Sequence, residues 1–258
     1  MELKDKIVVV TGAASGIGKA LAARFVQEGA RQVVAVDLNE VGARGTAEAF
    51  GCVSMGADVS READVQRVIE RTEDEIGPID LFCSNAGIGA APELASDNEE
   101  WQRSWDVNVM SHVYAARHLV PRMVERGGGY FMNTSSAAGL LNQIGGAAYG
   151  VTKHAAVGFG EWLALTYAHQ GIRVSMLCPQ AVRTPMTAND NDATAAAAND
   201  GMIEPEQLAD TVIEGLGDER FLILPHAEVI EYMRRKTADY DRWIGGMNRL
   251  MRRITGQD

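Results

Sequence analysis

Three side chains in the second half of the chain have the types and spacing for acid–base chemistry on a hydroxyl group. Tyr149 and Lys153 stand four residues apart, and Ser136 lies 13 residues before the tyrosine. A tyrosine phenol ordinarily titrates near ~10, too high for an efficient base near neutrality. A lysine at i+4 on a helix shares the tyrosine's face, and its charge favours the phenolate. A serine hydroxyl near the same oxygen supports charge that develops there. Each residue also has a plain structural reading: a core aromatic, a solvated helix lysine, a turn serine.

A second constellation lies near the N-terminus, where Thr11 to Gly18 reads TGAASGIG. It follows the apolar, β-branched run Ile7 to Thr11 and opens a helical stretch from Gly16 to Glu28. A strand, a glycine turn and a helix make a pyrophosphate cradle. Gly12, Gly16 and Gly18 let the backbone approach the ligand, and the helix start, with Ser15 and Ile17, offers unpaired N–H groups. The spacing is G-x-x-x-G-x-G rather than G-x-G-x-x-G. The next strand-like run, Gln32 to Asp37, ends in a carboxylate 21 residues after Gly16. A carboxylate there accepts the ribose hydroxyls of a dinucleotide's adenosine half and repels a 2′-phosphate. Neither position 15 nor position 38 carries a Lys or Arg, and Lys19 and Arg44 are expected on exposed helix faces. The expected cofactor is therefore NAD rather than NADP. The competing role for Asp37 is to cap the following helix.

These residues must be held by alternating elements. Further strand-like runs are Cys52 to Ala57, Ile79 to Ser84, Tyr130 to Thr134, Ile172 to Cys178 and Phe221 to Leu224. Helical segments include Glu62 to Ile76, Trp101 to Arg126 and Tyr149 to Gln170. Buried strands alternating with helices imply a doubly wound α/β sheet of about seven parallel strands with helices on both faces. With no internal repeat and no linker, one domain spanning 1–258 is expected. Two stretches stand apart. Residues 187–200 read TANDNDATAAAAND, a surface loop or a mobile substrate lid (about 185–203). Residues 226–254 place Val229, Met233, Tyr240, Ile244, Met247, Met251 and Ile254 on one helix face, with a break expected at Gly245-Gly246. That face packs on its own domain or on a neighbouring subunit.

In order along the chain, TGAASGIG, Ser84-Asn85-Ala86-Gly87, Asn108, Ser136 and Tyr149-Gly150-Val151-Thr152-Lys153 resemble the motifs of compact short-chain dehydrogenases/reductases. The resemblance runs from about Lys6 to Leu224. It implies a single-domain Rossmann-type fold and hydride exchange between a nicotinamide and a secondary alcohol or ketone. Tyr149 is then the general base or acid, and Lys153 also binds the nicotinamide ribose. The family spacing selects Ser136 over the adjacent Ser135. Asn108 resembles the helix asparagine that holds a water in a proton relay through the lysine. Asn85 is implied to order the sheet centre beneath the cofactor, with Ala86 and Gly87 beside it. Asp58 resembles the residue that caps the adenine amino group, and Val59 lines that pocket. Pro179, Val182 and Thr184 fall where the family meets the nicotinamide carboxamide. One departure is Gln180, where the family has glycine; either the turn differs or the side chain enters the site.

Substrate contacts are expected from Leu140, Leu141, Gln143 and Ile144, from Ala90 and Ala91, from the loop after Pro185 and from Gln180. These are mostly apolar, so the expected substrate is a small hydrophobic alcohol or ketone. Alternatives are a reductase of 3-oxoacyl-type carrier-bound ketones and a non-catalytic NAD-binding regulator. The composition agrees: 46% of the 258 residues are apolar and 23% charged, with a formal net charge of −11. That acidity disfavours nucleic acid and anionic membranes as partners. Cys52, Cys83 and Cys178 show neither disulfide nor metal-ligand spacing, so no metal and a cytoplasmic setting are expected. A homotetramer is expected, formed through the helices bearing Asn108 and Tyr149.

Overall fold

The computed structural model describes residues 1–89, 94–188 and 192–257. The chain opens with β1 (Ile7–Thr11), α1 (Gly16–Gln27), β2 (Gln32–Asp37), α2 (Glu40–Phe50) and β3 (Val53–Gly56). It continues with α3 (Glu62–Glu75), β4 (Leu81–Ser84), α4 (Asn98–Trp105), α5 (Ser111–Glu125) and β5 (Gly129–Thr134). Then come α6 (Ala138–Leu141), α7 (Ala147–Tyr167), β6 (Ile172–Leu177), α8 (Asp192–Ala197), α9 (Pro205–Gly217) and β7 (Leu222–Ile223). Two helices, α10 (Glu228–Ala238) and α11 (Tyr240–Ile254), follow. The seven strands form one parallel sheet in the order β3-β2-β1-β4-β5-β6-β7. The result is a single Rossmann-type α/β domain.

Strand alternation sends successive side chains to opposite faces. Val9, Phe82 and Phe131 pack with Ile69 of α3, Leu119 of α5 and Leu163 of α7. Val8, Val10 and Met132 pack on the other face with Leu21 and Phe25 of α1 and Leu208 of α9. Because both faces are covered, the central strands are apolar at nearly every position. The order reverses between β1 and β4, which opens a crevice beyond their carboxyl ends, where ligands bind in such sheets.

Three boundaries differ from the sequence expectation. The segment expected as one helix from Trp101 to Arg126 is α4, one π-helical turn over Asp106–Met110, and α5. π turns of this kind concentrate at functional sites, and this one carries Asn108. The C-terminal pair breaks at Asp239, not at Gly245-Gly246. Asp239 leaves the helical region and its carboxylate caps α11 by accepting from the Arg242 N–H (3.0 Å), whereas both glycines lie inside α11. The described part of the stretch after Pro185 is not plain coil. It contains a 3₁₀ turn (Pro185–Thr187) and α8, whose alanines favour helix.

Candidate active site

The glycine turn forms one wall of a groove of about 450 Å³ over the carboxyl ends of β1, β2 and β4. Gly12 and Gly16 take φ values of +70° and +51°, which side chains resist. A Cβ on Gly18 would run into the Gly12 carbonyl oxygen, so the helix packs against the turn only because that atom is missing. Ser15 makes no side-chain cap and the first turn of α1 carries no acid, which leaves its N–H groups for an anion. The groove is also lined by Ile17, Asp37, Asp58, Val59, Asn85, Ala86, Gly87, Pro179, Val182 and Thr184. Every residue expected to meet the cofactor therefore borders one space.

Asp37 does not cap the following helix, the competing role weighed from the sequence. Its oxygens accept from the N–H groups of Ala14 (2.9 Å) and Asn39 (2.8 Å), pinning the glycine turn to the start of α2. The helix cap itself is Asn39, which accepts from Gly42. The Asp37 carboxylate still borders the groove. Lys19 and Arg44 are exposed, and Arg44 pairs with Glu40 (3.2 Å). Position 38 is an exposed leucine lining the groove. Arg103, on α4, also lines it, a residue that no sequence motif singled out.

Asn85 joins three strand ends. Its amide donates to the Thr11 carbonyl (3.0 Å), its N–H to the Thr11 hydroxyl (2.9 Å), and its side-chain oxygen accepts from Thr134 (3.1 Å). Asp58 turns inward on Ser60, accepting from its hydroxyl (2.6 Å) and N–H (3.0 Å).

Ser136, Tyr149 and Lys153 converge at the junction of this groove with a second cavity. Ser136 and Tyr149 line both spaces; Lys153 lines the groove. Ser136 Oγ donates to the Pro179 carbonyl (3.3 Å) and accepts from the Ala138 N–H (3.1 Å). Burial raises the Tyr149 pKa, and the Ser136 hydroxyl beside it works against that rise. Ser135 is committed elsewhere, donating to the Lys153 carbonyl (2.8 Å). Lys153 is buried, lies 5.6 Å from the centre of the Tyr149 ring and donates from Nζ to the Thr134 carbonyl (3.1 Å). Burial pushes it down to about 8. Burial is the largest influence on the Tyr149 phenol and raises its pKa, opposite to the fall expected from the lysine. Asn108 is fully buried; its amide clasps Ile88 N–H (2.9 Å), Ile88 carbonyl (3.1 Å) and the Thr152 hydroxyl (3.2 Å).

The second cavity encloses about 380 Å³. Leu141, Ile144 and Met186 line it from the body of the domain, and Trp243, Met247 and Leu250 roof it from α11. The C-terminal helix thus packs over the site of its own chain, and its three roofing residues fall at i, i+4 and i+7. Of the expected contacts, Leu140 turns away, and its carbonyl accepts from Lys236 (2.6 Å). Arg183, a cation on the neighbouring loop, pairs with Glu204 (2.7 Å) and does not line the cavity. Ala90 and Ala91 lie outside the described residues. Gln143 borders the cavity but spends its amide on the Ala193 carbonyl (3.0 Å).

Gln180 resolves the departure from the family glycine on both counts. Its backbone is outside the left-handed region, so this turn needs no glycine. Its side chain reaches the site, bordering both spaces and donating to Asp200 (3.1 Å), which also accepts from the Tyr232 hydroxyl (2.9 Å). The Gln180 N–H donates to Nδ1 of buried His226 (3.1 Å). Cys178, beneath it, is buried with its thiol pushed up to about 12, which makes it an inert neighbour.

The model of the short chain dehydrogenase family matches residues 6–195. The chain belongs to that family. It is 35% identical over 252 residues to the 1-deoxy-11-beta-hydroxypentalenate dehydrogenase of Streptomyces exfoliatus, covering 95% of this chain and 91% of that one. It is 36% identical over 190 residues to 3beta-hydroxysteroid dehydrogenase 2 of Eggerthella lenta, covering 70% and 73%. Among solved structures, a short chain dehydrogenase/reductase of Burkholderia phymatum in complex with NAD aligns with a TM-score of 0.84 at 27% identity, covering 93% of this chain and 96% of that one.

Proposed function

We propose that the protein is an NAD-preferring oxidoreductase that interconverts an apolar secondary alcohol and its ketone. One observation carries this reading: Tyr149 and Ser136 stand at the wall shared by the groove over the glycine turn and a largely apolar cavity. Relatives named for the dehydrogenation of a hydroxypentalenate and of a 3beta-hydroxysteroid support it. So does the structural relative in complex with NAD, although the L-sorbose reductase of Gluconobacter frateurii, at a TM-score of 0.75, was solved with NADPH.

A bound nicotinamide supplies the hydride acceptor or donor. The protein's own groups do the rest. The glycine turn and the start of α1 hold the pyrophosphate, Asp37 takes the ribose hydroxyls, and Asp58 and Val59 border the adenine. Pro179, Val182 and Thr184 face the carboxamide. The Tyr149 oxygen takes the hydroxyl proton of an alcohol, or returns it to a ketone. The Ser136 hydroxyl donates to the same substrate oxygen. Lys153, within the same buried cluster, supports the phenolate and holds the nicotinamide ribose, and Asn108 fixes the backbone beside it. Leu141, Gln143 and Gln180 shape the substrate's surroundings. Asp37 favours the cofactor that cells use mainly for oxidation, so dehydrogenation is the working direction.

Calorimetric titration tests the cofactor assignment: NAD+ should bind more tightly than NADP+, and the reverse order would overturn it. The protein acts as a cytoplasmic homotetramer in this reading. Among the described residues no helix is long and apolar enough to cross a membrane, and all three cysteines are free thiols. Val151, Trp162 and Leu165 project from α7 into solvent, Leu165 at 84% exposure, as a face for another subunit. Ala148 and Ala156 are not part of that face, because both are buried against the chain's own core. Sedimentation equilibrium at micromolar concentration should give four times the chain mass; a mass of 27.8 kDa would contradict assembly.

A further inference from the structure

The groove over the glycine turn has a second wall, built from the turn after β4 and the segment that carries Asn108. Asn85 to Ile88 supply one part of it, and Arg103 and Val107, four residues apart, supply the other. Asn108 ties the two parts together, because its amide holds both the N–H and the carbonyl of Ile88. Arg103 stands on α4, which leads straight into the π turn. It is exposed, and among the described residues its guanidinium has neither a hydrogen bond nor an ion pair.

That freedom is not for want of carboxylates. Glu99 and Glu100 lie four and three residues before it, the spacings at which helix side chains meet. Asp106, three residues on, accepts from Gln102 (2.8 Å). Other helices of the fold do form such pairs. Arg44 holds Glu40 (3.2 Å) and Arg235 holds Glu231 (3.1 Å), in the same order and at the same separation as Glu99 and Arg103. Arg103 takes none of its three neighbours and borders the groove instead. Exposed pairs on one helix are weak in any case, so Glu99 and Glu100 would not hold the guanidinium against a doubly charged ligand.

The charges around the groove define what a cation there can do. Among the described residues, those bordering it include two carboxylates, Asp37 and Asp58, and two cations, Lys153 and Arg103. Lys153 is buried and donates to the Thr134 carbonyl, which leaves Arg103 as the exposed cation. The chain carries a formal net charge of −11, so a dinucleotide with two phosphate charges approaches against repulsion. The start of α1 offers N–H groups and a partial charge, but its first turn holds no full positive charge. A guanidinium presents paired N–H donors that match two phosphate oxygens. Arg103 does not border the substrate cavity, so a charge on the substrate is not what it meets. A 2′-phosphate would face the Asp37 carboxylate, which leaves the pyrophosphate as the anion for Arg103.

We propose that Arg103 is a cofactor-binding residue that takes the pyrophosphate of the dinucleotide from this second wall, supplying the full positive charge that the glycine turn lacks. The inference rests on the NAD reading above and adds to it a residue that reading does not use.

Calorimetric titrations of the full-length protein with NAD+, NADP+ and ADP-ribose, at low and at physiological salt, test it. ADP-ribose keeps the pyrophosphate and lacks the nicotinamide. Arg103→Gln removes no contact within the protein and should fold. It should weaken all three ligands by a common factor of about tenfold, the worth of a partly exposed charge-assisted contact. Its NAD+ affinity should also fall less steeply than that of the wild type as salt rises, because one cation fewer meets the phosphates. A merely structural role for Arg103 would not change that slope. Arg103→Lys keeps the charge without the paired donors and should recover part of the loss. Unchanged affinity of Arg103→Gln for NAD+ and ADP-ribose would overturn the proposal and leave the oxidoreductase reading in place. A loss confined to NADP+ would also overturn it, by placing the guanidinium at a 2′-phosphate. A wild type that binds neither NAD+ nor ADP-ribose would remove the dinucleotide reading itself, and the proposal with it.

Discussion

Tyr149→Phe is expected to lower kcat for alcohol oxidation by about 10²- to 10⁴-fold, the usual worth of a positioned proton acceptor. The change removes one oxygen and keeps the ring. The 5.6 Å packing of Lys153 against that ring and the cofactor groove should therefore survive. NAD+ affinity, measured by calorimetry, should stay within a few-fold. The sign of the pH dependence follows from the site. In the proposed reaction oxidation uses the phenolate; burial raises the Tyr149 pKa, and the Ser136 hydroxyl beside it lowers it. Burial is the larger influence, so without substrate and cofactor the base form grows in only on the alkaline side. Oxidation should speed up as pH rises, and ketone reduction, which needs the protonated phenol, should slow. A Tyr149→Phe protein that keeps wild-type kcat would place the base elsewhere.

The second large effect concerns cofactor choice. Asp37→Ser combined with Leu38→Arg is expected to shift the NAD+ to NADP+ affinity ratio by about 100-fold or more towards NADP+. The double change removes a carboxylate whose repulsion of a 2′-phosphate is worth several kcal/mol, and each 1.4 kcal/mol is tenfold in affinity. It also places a cation at an exposed position on the lip of the groove. Serine keeps an oxygen near the Ala14 and Asn39 N–H groups that Asp37 now holds, so the glycine turn should stay in place. Paired titrations of wild type and variant with both dinucleotides read the ratio directly. An unchanged ratio would remove Asp37 from the discrimination.

Most of this architecture could be read from local signals. Ile7–Thr11, Gln32–Asp37 and the start of α1 at Gly16 fall where β-branched runs and glycines put them. The doubly wound sheet follows from strands buried on both faces. The motif residues converge because they sit on the loops and adjoining helix turns at one end of that sheet. Other features had no local signature. The π turn that carries Asn108 has no recognisable signature in the residues Asp106–Met110. The break at Asp239 shows a capping side chain ending a helix while two glycines downstream are carried within one. The roof of the cavity by Trp243, Met247 and Leu250 was legible only as amphipathic periodicity, which gives a face but not what it covers. Gln180 was visible as a departure, but its partners Asp200 and His226 lie 20 and 46 residues away, and only the fold brings them together.

The most direct test of the central claim is to mix the protein with NAD+ and a panel of apolar secondary alcohols and to follow the absorbance of reduced nicotinamide. The expected result is formation of reduced cofactor with at least one apolar alcohol, abolished or nearly so in Tyr149→Phe. Calorimetric binding of NAD+ with no reduction across a broad panel of apolar alcohols would contradict it.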